Sequence, residues 1–420
     1  MNITVWGINY APEVTGIAPY NTQLCEYLAA RGHQVRMVTT FAYYPRWRKA
    51  AADSRRLHRT DLVNGIRVHR CWHYVPRRVT VPRRILHELT FGVTAALRAL
   101  TLPRADVHVV VSPPLILGWF AWAVTRVRGG KFVFHVQDLQ PDAAVGLGMV
   151  KAGRFTRALF ALEAFAYRKA GRVAGISAGM LRAFAAKGVP AGKQLYFPNW
   201  IGAAPRGGAP AAAAARTRHG IAAGALLAFY SGNLGRKQGL EVLVEAAGRL
   251  QAGGATSRPV MIVIAGEGAA RAELAGQIAA RGLGNLRLLP LLAEEDYHGL
   301  LAAADVSLIT QAPGTGQVFF PSKLLTVLAA GKPVLAVADA DSELARAVRE
   351  GGFGAVTAAG DAGALAGRLQ TLAADPSPLL AWAARTPWVQ RFEAARVLDG
   401  FTTELEKLAG ETADHHNSAV

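Results

Sequence analysis

Cysteine is nearly absent: Cys25 and Cys71 are the two among 420 residues. Two thiols cannot build a disulfide framework, so both read as small apolar residues of a chain kept in a reducing cytosol. No His/Cys cluster has zinc-ligand spacing, and no metal is expected. The opening MNITVWGINY has no basic leader and already reads as a strand, so no signal peptide is expected. Long apolar runs are missing too. The longest window, Val107–Val127, is broken by His108, Pro113-Pro114 and Arg126. A membrane span needs about 20 predominantly apolar residues. This window therefore reads as a strand, a turn and a buried or interfacial helix. No G-x-G-x-x-G follows the first strand, which argues against a dinucleotide cofactor, and no Walker loop is present.

The scarcest feature is acid in the first half. Residues 1–200 hold 28 Lys/Arg against 9 Asp/Glu, whereas residues 201–420 hold 19 against 20. The whole net charge of +18 therefore sits in the N-terminal half. Much of it lies between Arg46 and Arg84, interleaved with Trp47, Trp72 and Tyr74. Nucleic acid, anionic lipid and a phosphorylated substrate all fit such a surface, as does a plain solvated basic face. Nucleic acid is the weakest of these. It calls for a basic groove-reading helix or aromatic platforms for bases, and neither pattern is visible.

What is present is a repeated alternation of strands and helices, in a length that suits two domains. In the first half, strands are predicted at Asn2–Ile8, Gln34–Thr39, Ile66–Cys71, Val107–Val111, Lys131–Val136, Arg172–Ile176 and Gln194–Phe197. Helices fall between them, including Pro19–Arg31, Arg83–Leu100 and Val150–Lys169, while Tyr43–Arg59 reads as a loop with a basic helix. Residues 202–220 are Gly/Ala/Pro-rich and form the joint, with a short Ala-rich helix inside it. The rhythm then restarts with strands at Leu226–Tyr230, Val260–Ile264, Leu286–Leu288, Val306–Ile309, Pro333–Val337 and Gly354–Val356. The expected architecture is α/β: an N-terminal domain over 1–201, a C-terminal domain over 221–386, a closing helix over 387–408 and a disordered tail over 409–420. Two doubly wound sheets of this kind face each other across a central cleft, where α/β ligands bind.

Candidate chemistry concentrates in the second half. In Ser231–Gly239 (SGNLGRKQG), Gly232, Asn233 and Gly235 let the backbone approach a ligand, and Arg236 and Lys237 add two cations. That combination either cradles a diphosphate or is a common Gly-rich turn with surface cations. Farther on, Pro321-Ser322-Lys323 precedes the apolar helical run beginning at Leu324, and Gly331 closes it. A hydroxyl and an ammonium there either attract anions at the positive end of a helix or belong to an ordinary αβ unit with a surface Lys. Glu267, in Ala265–Gly268 after a strand, either accepts from a nucleoside or caps the next helix. In the first half, His135 and Asp138 stand at the end of a strand. Asp138 either orients or deprotonates a hydroxyl or is a turn residue, and His135 is either titratable near neutral pH or core. Asn199, in Phe197–Trp200 (FPNW), is either a turn residue or a ligand contact.

These segments in this order resemble the retaining GT-B glycosyltransferases of family 4. They are Gly7–Gly16 (GINYAPEVTG), His135–Asp142 (HVQDLQPD), FPNW, SGNLGRKQG, Ala265–Gly268 and Phe320–Val334 (FPSKLLTVLAAGKPV). Within that family they are most similar to the branch with colanic-acid-type fucosyltransferases and O-antigen N-acetylfucosaminyltransferases. The resemblance implies a GT-B fold of two Rossmann-like domains. It implies transfer of a sugar, such as fucose or N-acetylfucosamine, from a nucleoside diphosphate to a polyprenyl-diphosphate-linked glycan in surface polysaccharide biosynthesis. The nucleotide sugar is a substrate, and no cofactor is expected. By the same resemblance Arg236, Lys237, Ser322 and Lys323 hold the diphosphate, Glu267 sits near the nucleoside, and the Gly16 loop closes over the donor. Many members carry two glutamates eight positions apart around this helix, where this chain has Val318 and Thr326. Asp339-Ala340-Asp341 has the spacing of a metal motif, but the family makes helix capping the better reading. A basic half of this kind implies a peripheral protein at the inner face of the plasma membrane. The competing activities are a sugar-nucleotide 2-epimerase of the same fold and, in another class, nucleic-acid binding.

Overall fold

The computed structural model of the chain describes residues 1–14, 16–146, 153–201, 208–253, 258–316 and 323–417. It divides into two compact units: residues 1–199 with 395–420, and residues 200–394.

The first unit opens with β1 (Asn2–Trp6), α1 (Ala18–Ala30), β2 (Gln34–Thr40), β3 (His58–Val63) and β4 (Ile66–Cys71). Then come α2 (Val81–Thr101), β5 (Val107–Ser112), α3 (Leu117–Arg128), β6 (Lys131–Val136) and α4 (Gln140–Gly146). It continues with α5 (Arg154–Lys169), β7 (Arg172–Gly175), α6 (Ala178–Ala186) and β8 (Gln194–Tyr196). The strands form one sheet in the order β3-β4-β2-β1-β5-β6-β7-β8, parallel except for β3. β5 is buried along its whole length, as its apolar run requires of a strand covered on both faces.

The expected basic helix in Tyr43–Arg59 is not there. A short 3₁₀ turn (Ala51–Asp53) leads instead into β3, which pairs antiparallel with β4. The cause is the Asn64-Gly65 pair between them, with φ of 50° and 80°, a favoured two-residue hairpin turn. The hairpin consumes several of the basic residues internally. Arg59 pairs with Asp53 and Asp61, Arg70 pairs with Asp61 at 2.6 Å, and Lys49 donates to the His73 carbonyl at 2.7 Å.

The second unit contains α7 (Ala209–Arg218), β9 (Leu226–Ser231), α8 (Glu241–Ala252), β10 (Val260–Ala265), α9 (Arg271–Ala280), β11 (Leu286–Leu289) and α10 (Glu294–Ala303). After these come β12 (Val306–Thr310), α11 (Lys323–Ala329), β13 (Val334–Val337), α12 (Glu343–Gly351), β14 (Gly354–Thr357), α13 (Ala362–Ala374) and α14 (Ser377–Ala383). All six strands are parallel, in the order β11-β10-β9-β12-β13-β14. This is the 3-2-1-4-5-6 arrangement of a doubly wound sheet, and the order reverses between β9 and β12. Ligands of such sheets bind beyond the strand ends at that reversal. The described part of the joint is α7. It packs on α10, where the small Gly299 lets Ala215 approach.

The terminal helix α15 (Ala394–Asn417) closes the first unit. Residues Thr386–Phe392, expected to open it, form a separate 3₁₀ segment. Phe401 stacks on Phe197 with centroids 3.7 Å apart, and Leu405 and Leu408 are fully buried. The helix also continues past 408. Glu411 binds Arg172 at 2.7 Å and Lys131 at 3.3 Å, which ties down the turn expected to begin the tail. Among the described residues no helix is long and apolar enough to cross a membrane.

Candidate functional site

At the sheet reversal of the second unit, two glycine-rich turns are laced together by backbone. After β9, Gly232 N–H donates to the Ala265 carbonyl at 3.0 Å, and Leu234 N–H donates to the Glu267 carbonyl at 2.8 Å. Ala270 N–H returns to the Leu234 carbonyl at 2.8 Å. The approach is so close that a Cβ on Gly266 would lie 1.9 Å from the Gly232 oxygen, and Gly266 has a φ of +148°. No other residue type fits there. Arg271 braces the second turn, donating to the carbonyls of Gly266 and Leu289 at 2.9 and 2.7 Å.

Lys323 opens α11 and reaches into the first turn. Its Nζ lies 3.8 Å from the centroid of the Tyr230 ring and 3.0 Å from where a Cβ of Gly232 would stand. The ammonium is shut off from solvent and has no hydrogen-bond partner among the described residues. Burial pushes its pKa down to about 7. The ring quadrupole stabilises it, a weak substitute for hydrogen bonds. Tyr230 itself is held by its hydroxyl, which donates to the Asn233 carbonyl at 2.9 Å. Two more polar atoms at this strand edge are buried without a partner among the described residues, Gln238 Oε1 and Thr310 Oγ1. Each unpaired buried polar atom costs about 1–3 kcal/mol. The ammonium and the hydroxyl left this way at a sheet reversal can donate to an anionic oxygen, and the amide oxygen can accept from a ligand hydroxyl.

After the first loop, Gly235 precedes the 3₁₀ turn Arg236–Gln238, which holds Arg236 and Lys237. Arg236 is exposed, and the Lys237 carbonyl accepts from Ala312 N–H at 3.0 Å. Asn233 is exposed beside them. Glu267 turns to solvent and pairs with Arg271 at 3.5 Å; it does not cap α9, whose N-cap is Ala270. The Leu324 side chain is wholly buried in the apolar core with Leu325 and Phe229, which leaves only its backbone to meet a ligand. Pro321, Ser322 and Val318 lie outside the described residues. In the Asp339–Asp341 stretch, Asp339 accepts from Gly314 N–H at 2.8 Å, and Ser342 caps α12. Among the described residues no group of three or more His, Cys, Asp or Glu gathers to hold a metal.

In the first unit, the carboxyl ends of β1, β2 and β4 carry a second cluster that the motif reading passed over. Glu13 is buried and accepts from the backbone N–H of Tyr43 and Tyr44, at 2.8 and 2.7 Å, and from Asn9 Nδ2 at 2.7 Å. The loop is pinned again at Ala11, whose carbonyl accepts from Arg70 at 2.6 Å. Beyond these pins, Val14 is exposed and Gly16 turns at a φ of +65°. His87 donates from Nδ1 to the Tyr74 carbonyl at 2.6 Å, so its Nε2 accepts from the Tyr43 hydroxyl at 3.1 Å. Burial holds His73 and His87 below the usual histidine pKa, hence neutral. The only sequence signal for this cluster was the Gly7–Gly16 segment itself, which contains Glu13.

His135 lies inside the core against Phe197, 4.7 Å between centroids, and burial pushes its pKa down to about 3. Its Nε2 accepts from Gln137 at 2.6 Å, and Gln137 also donates to Asn199 Oδ1 at 3.0 Å. His135 and Asn199 are thus joined through one amide. Asp138 is half-buried in the bend after β6, and its carbonyl accepts from Gln140 N–H at 3.0 Å.

Comparison with known proteins agrees with this architecture. The chain is 33% identical to a putative colanic acid biosynthesis glycosyl transferase, WcaI, of Escherichia coli K12, over 82% of this chain and 85% of that one. Among solved structures it resembles the sucrose-phosphate synthase of Thermosynechococcus elongatus, with a TM-score of 0.74 and 18% identity over 98% of this chain and 99% of that one. It also resembles Anabaena HepE in complex with UDP, with a TM-score of 0.70 and 18% identity over 97% and 100%. These likenesses make the fold GT-B. Residues 15–200 match the glycosyl transferase 4-like domain and residues 213–387 match glycosyl transferases group 1. The chain belongs to the glycosyltransferases of that family.

Proposed function

We propose that this glycosyltransferase binds a nucleoside-diphosphate sugar at the β9–β12 reversal and transfers the sugar, with retention, to a polyprenyl-diphosphate-linked glycan of a surface polysaccharide. The observation that carries the donor site is Lys323 Nζ, buried over Tyr230 beside the Gly232 backbone and without a hydrogen-bond partner among the described residues. A diphosphate at that turn would give the ammonium its missing acceptors, and exposed Arg236 can swing onto the same group. Both cations would then stabilise the charge that develops on the leaving nucleotide. HepE has been captured with UDP and with UDP-glucose, which supports a nucleotide sugar as the donor class. The name of the Escherichia coli relative supports polysaccharide biosynthesis, and the branch resemblance supports fucose or N-acetylfucosamine. On the acceptor side, Asp138 is the candidate to orient or deprotonate a hydroxyl. The Ala11–Glu13 loop, pinned within the first unit, leads to Gly16, which the family resemblance assigns to the donor. The test is a thermal-shift panel of UDP-, GDP- and dTDP-sugars. One donor class should raise the melting temperature of the parent, and Lys323→Ala and Arg236→Ala should each lose most of that shift. Variants that bind the preferred donor as well as the parent does would remove the site.

A further inference from the structure

The outward face of α2 contradicts the ordinary pattern of a surface helix. Its inward side is as expected, with His87, Phe91, Ala95 and Ala99 buried. The side turned to solvent should carry charge. It carries Leu86, Leu89, Val93 and Leu97 instead, 46, 41, 40 and 61% exposed. Their spacing of three, four and four puts them on one stripe. Val81 and Ile85 are exposed at the start of the same helix. Beside it on α3, Trp119 is also exposed, in edge contact at 5.1 Å with Phe120, the ring that fills the space over Gly92 of α2.

The N-terminal end of this stripe is ringed by cations. Arg77, Arg78, Arg83 and Arg84 are all exposed, and the acid nearest them in sequence is Glu88, which pairs with Arg84 at 3.0 Å. An apolar stripe, a flanking Trp and a collar of arginines together suit the boundary between headgroups and acyl chains of an anionic bilayer. A second copy of the chain suits it less. Across a two-fold contact the one acid that α2 could offer the collar is Glu88, already paired with Arg84, whereas lipid phosphates complement it.

We propose that α2 is a membrane-docking helix lying in the headgroup plane of an anionic phospholipid bilayer. Leu86, Leu89, Val93 and Leu97 enter the acyl boundary, and Arg77, Arg78, Arg83 and Arg84 meet the phosphates. The reading of the chain as a transferase acting on a lipid-borne acceptor gives the docking a purpose, and the inference rests on that reading for nothing else.

The test is co-sedimentation of the full chain with vesicles of phosphatidylcholine alone or mixed with phosphatidylglycerol, without nucleotide or acceptor. The parent should bind the anionic vesicles far more tightly. Arg77→Ser with Arg78→Ser should weaken that binding by roughly fivefold per arginine at low salt. Leu86→Ser, Leu89→Ser and Val93→Ser together should weaken it by at least about tenfold, including at high salt. Because the altered side chains face solvent, melting temperatures should stay at or above the parent value, which separates lost docking from lost folding. The proposal fails if the triple serine variant binds vesicles as well as the parent. It also fails if the parent ignores vesicles but is a dimer that the same variant converts to monomer. The nucleotide-sugar thermal shift, measured on the same samples, reports the donor site separately.

Discussion

The buried ammonium of Lys323 leads to a test that needs no knowledge of the sugar. With a pKa near 7, its protonated fraction in the free protein falls steeply across the neutral range. A bound diphosphate favours the charged form and raises that pKa, so binding above pH 7 takes up a proton. Affinity should therefore fall as pH rises, by at most tenfold per unit, and by about 25-fold between pH 6.5 and 8.5 if the bound form stays protonated throughout. A nucleoside-diphosphate sugar is the right probe, because its diester pyrophosphate lacks the second phosphate ionisation near pH 6. The assay is titration calorimetry at pH 8 in two buffers of different ionisation enthalpy, which should show close to one proton taken up per donor bound. Lys323→Met should bind weakly, with neither proton uptake nor a slope in pH. The same group acts on stability with its own sign. Its folded pKa lies below the unfolded 10.5, so the unfolded chain holds the extra proton between about pH 7 and 10.5. The parent should gain stability as pH rises through that window, by a few kcal/mol at most at about 1.4 kcal/mol per unit, and Lys323→Met should gain less. A flat donor affinity from pH 6.5 to 8.5 would refute the reasoning, as would equal proton uptake by the Met variant.

Three further outcomes follow from particular contacts. Gly266→Ala forces a Cβ onto the Gly232 oxygen; it should cost roughly 2–4 kcal/mol by thermal melting and abolish the nucleotide-sugar shift, since the two turns must part. Phe401→Ala removes the ring stacked on Phe197 and should destabilise the first unit by about 3–5 kcal/mol in urea unfolding, with the donor shift retained. Glu13→Ala strands the buried N–H groups of Tyr43 and Tyr44. It should cost about 1–3 kcal/mol by thermal melting and speed hydrogen exchange at those two amides.

The elements that could be read in advance were those whose physics is local. Strands buried on both faces announce themselves as continuous apolar runs, and β5, β6, β9, β10 and β13 fall within a residue or two of expectation. The helix stop at Gly331, with a φ of +70°, is equally local. Where a local signal was overlooked the reading erred: Asn64-Gly65 marks a hairpin, and the basic helix drawn across Tyr43–Arg59 ignored it. The persistence of α15 beyond 408 had no local cue, because Arg172 and Lys131, which hold Glu411, stand far away in sequence.

The sequence alone determined the two alternating α/β halves, the charge confined to the first, and which residue types could meet a diphosphate, because periodicity, composition and motif spacing are properties of neighbours along the chain. Only the tertiary structure decided how those residues are used. It buried the Lys323 ammonium over Tyr230, sent Glu267 outward to Arg271, sealed His135 among aromatic rings, and turned a row of apolar side chains on α2 to the outside. Burial and partnership depend on what residues distant in sequence bring to the same place, and that is settled only when the sheets are formed and covered.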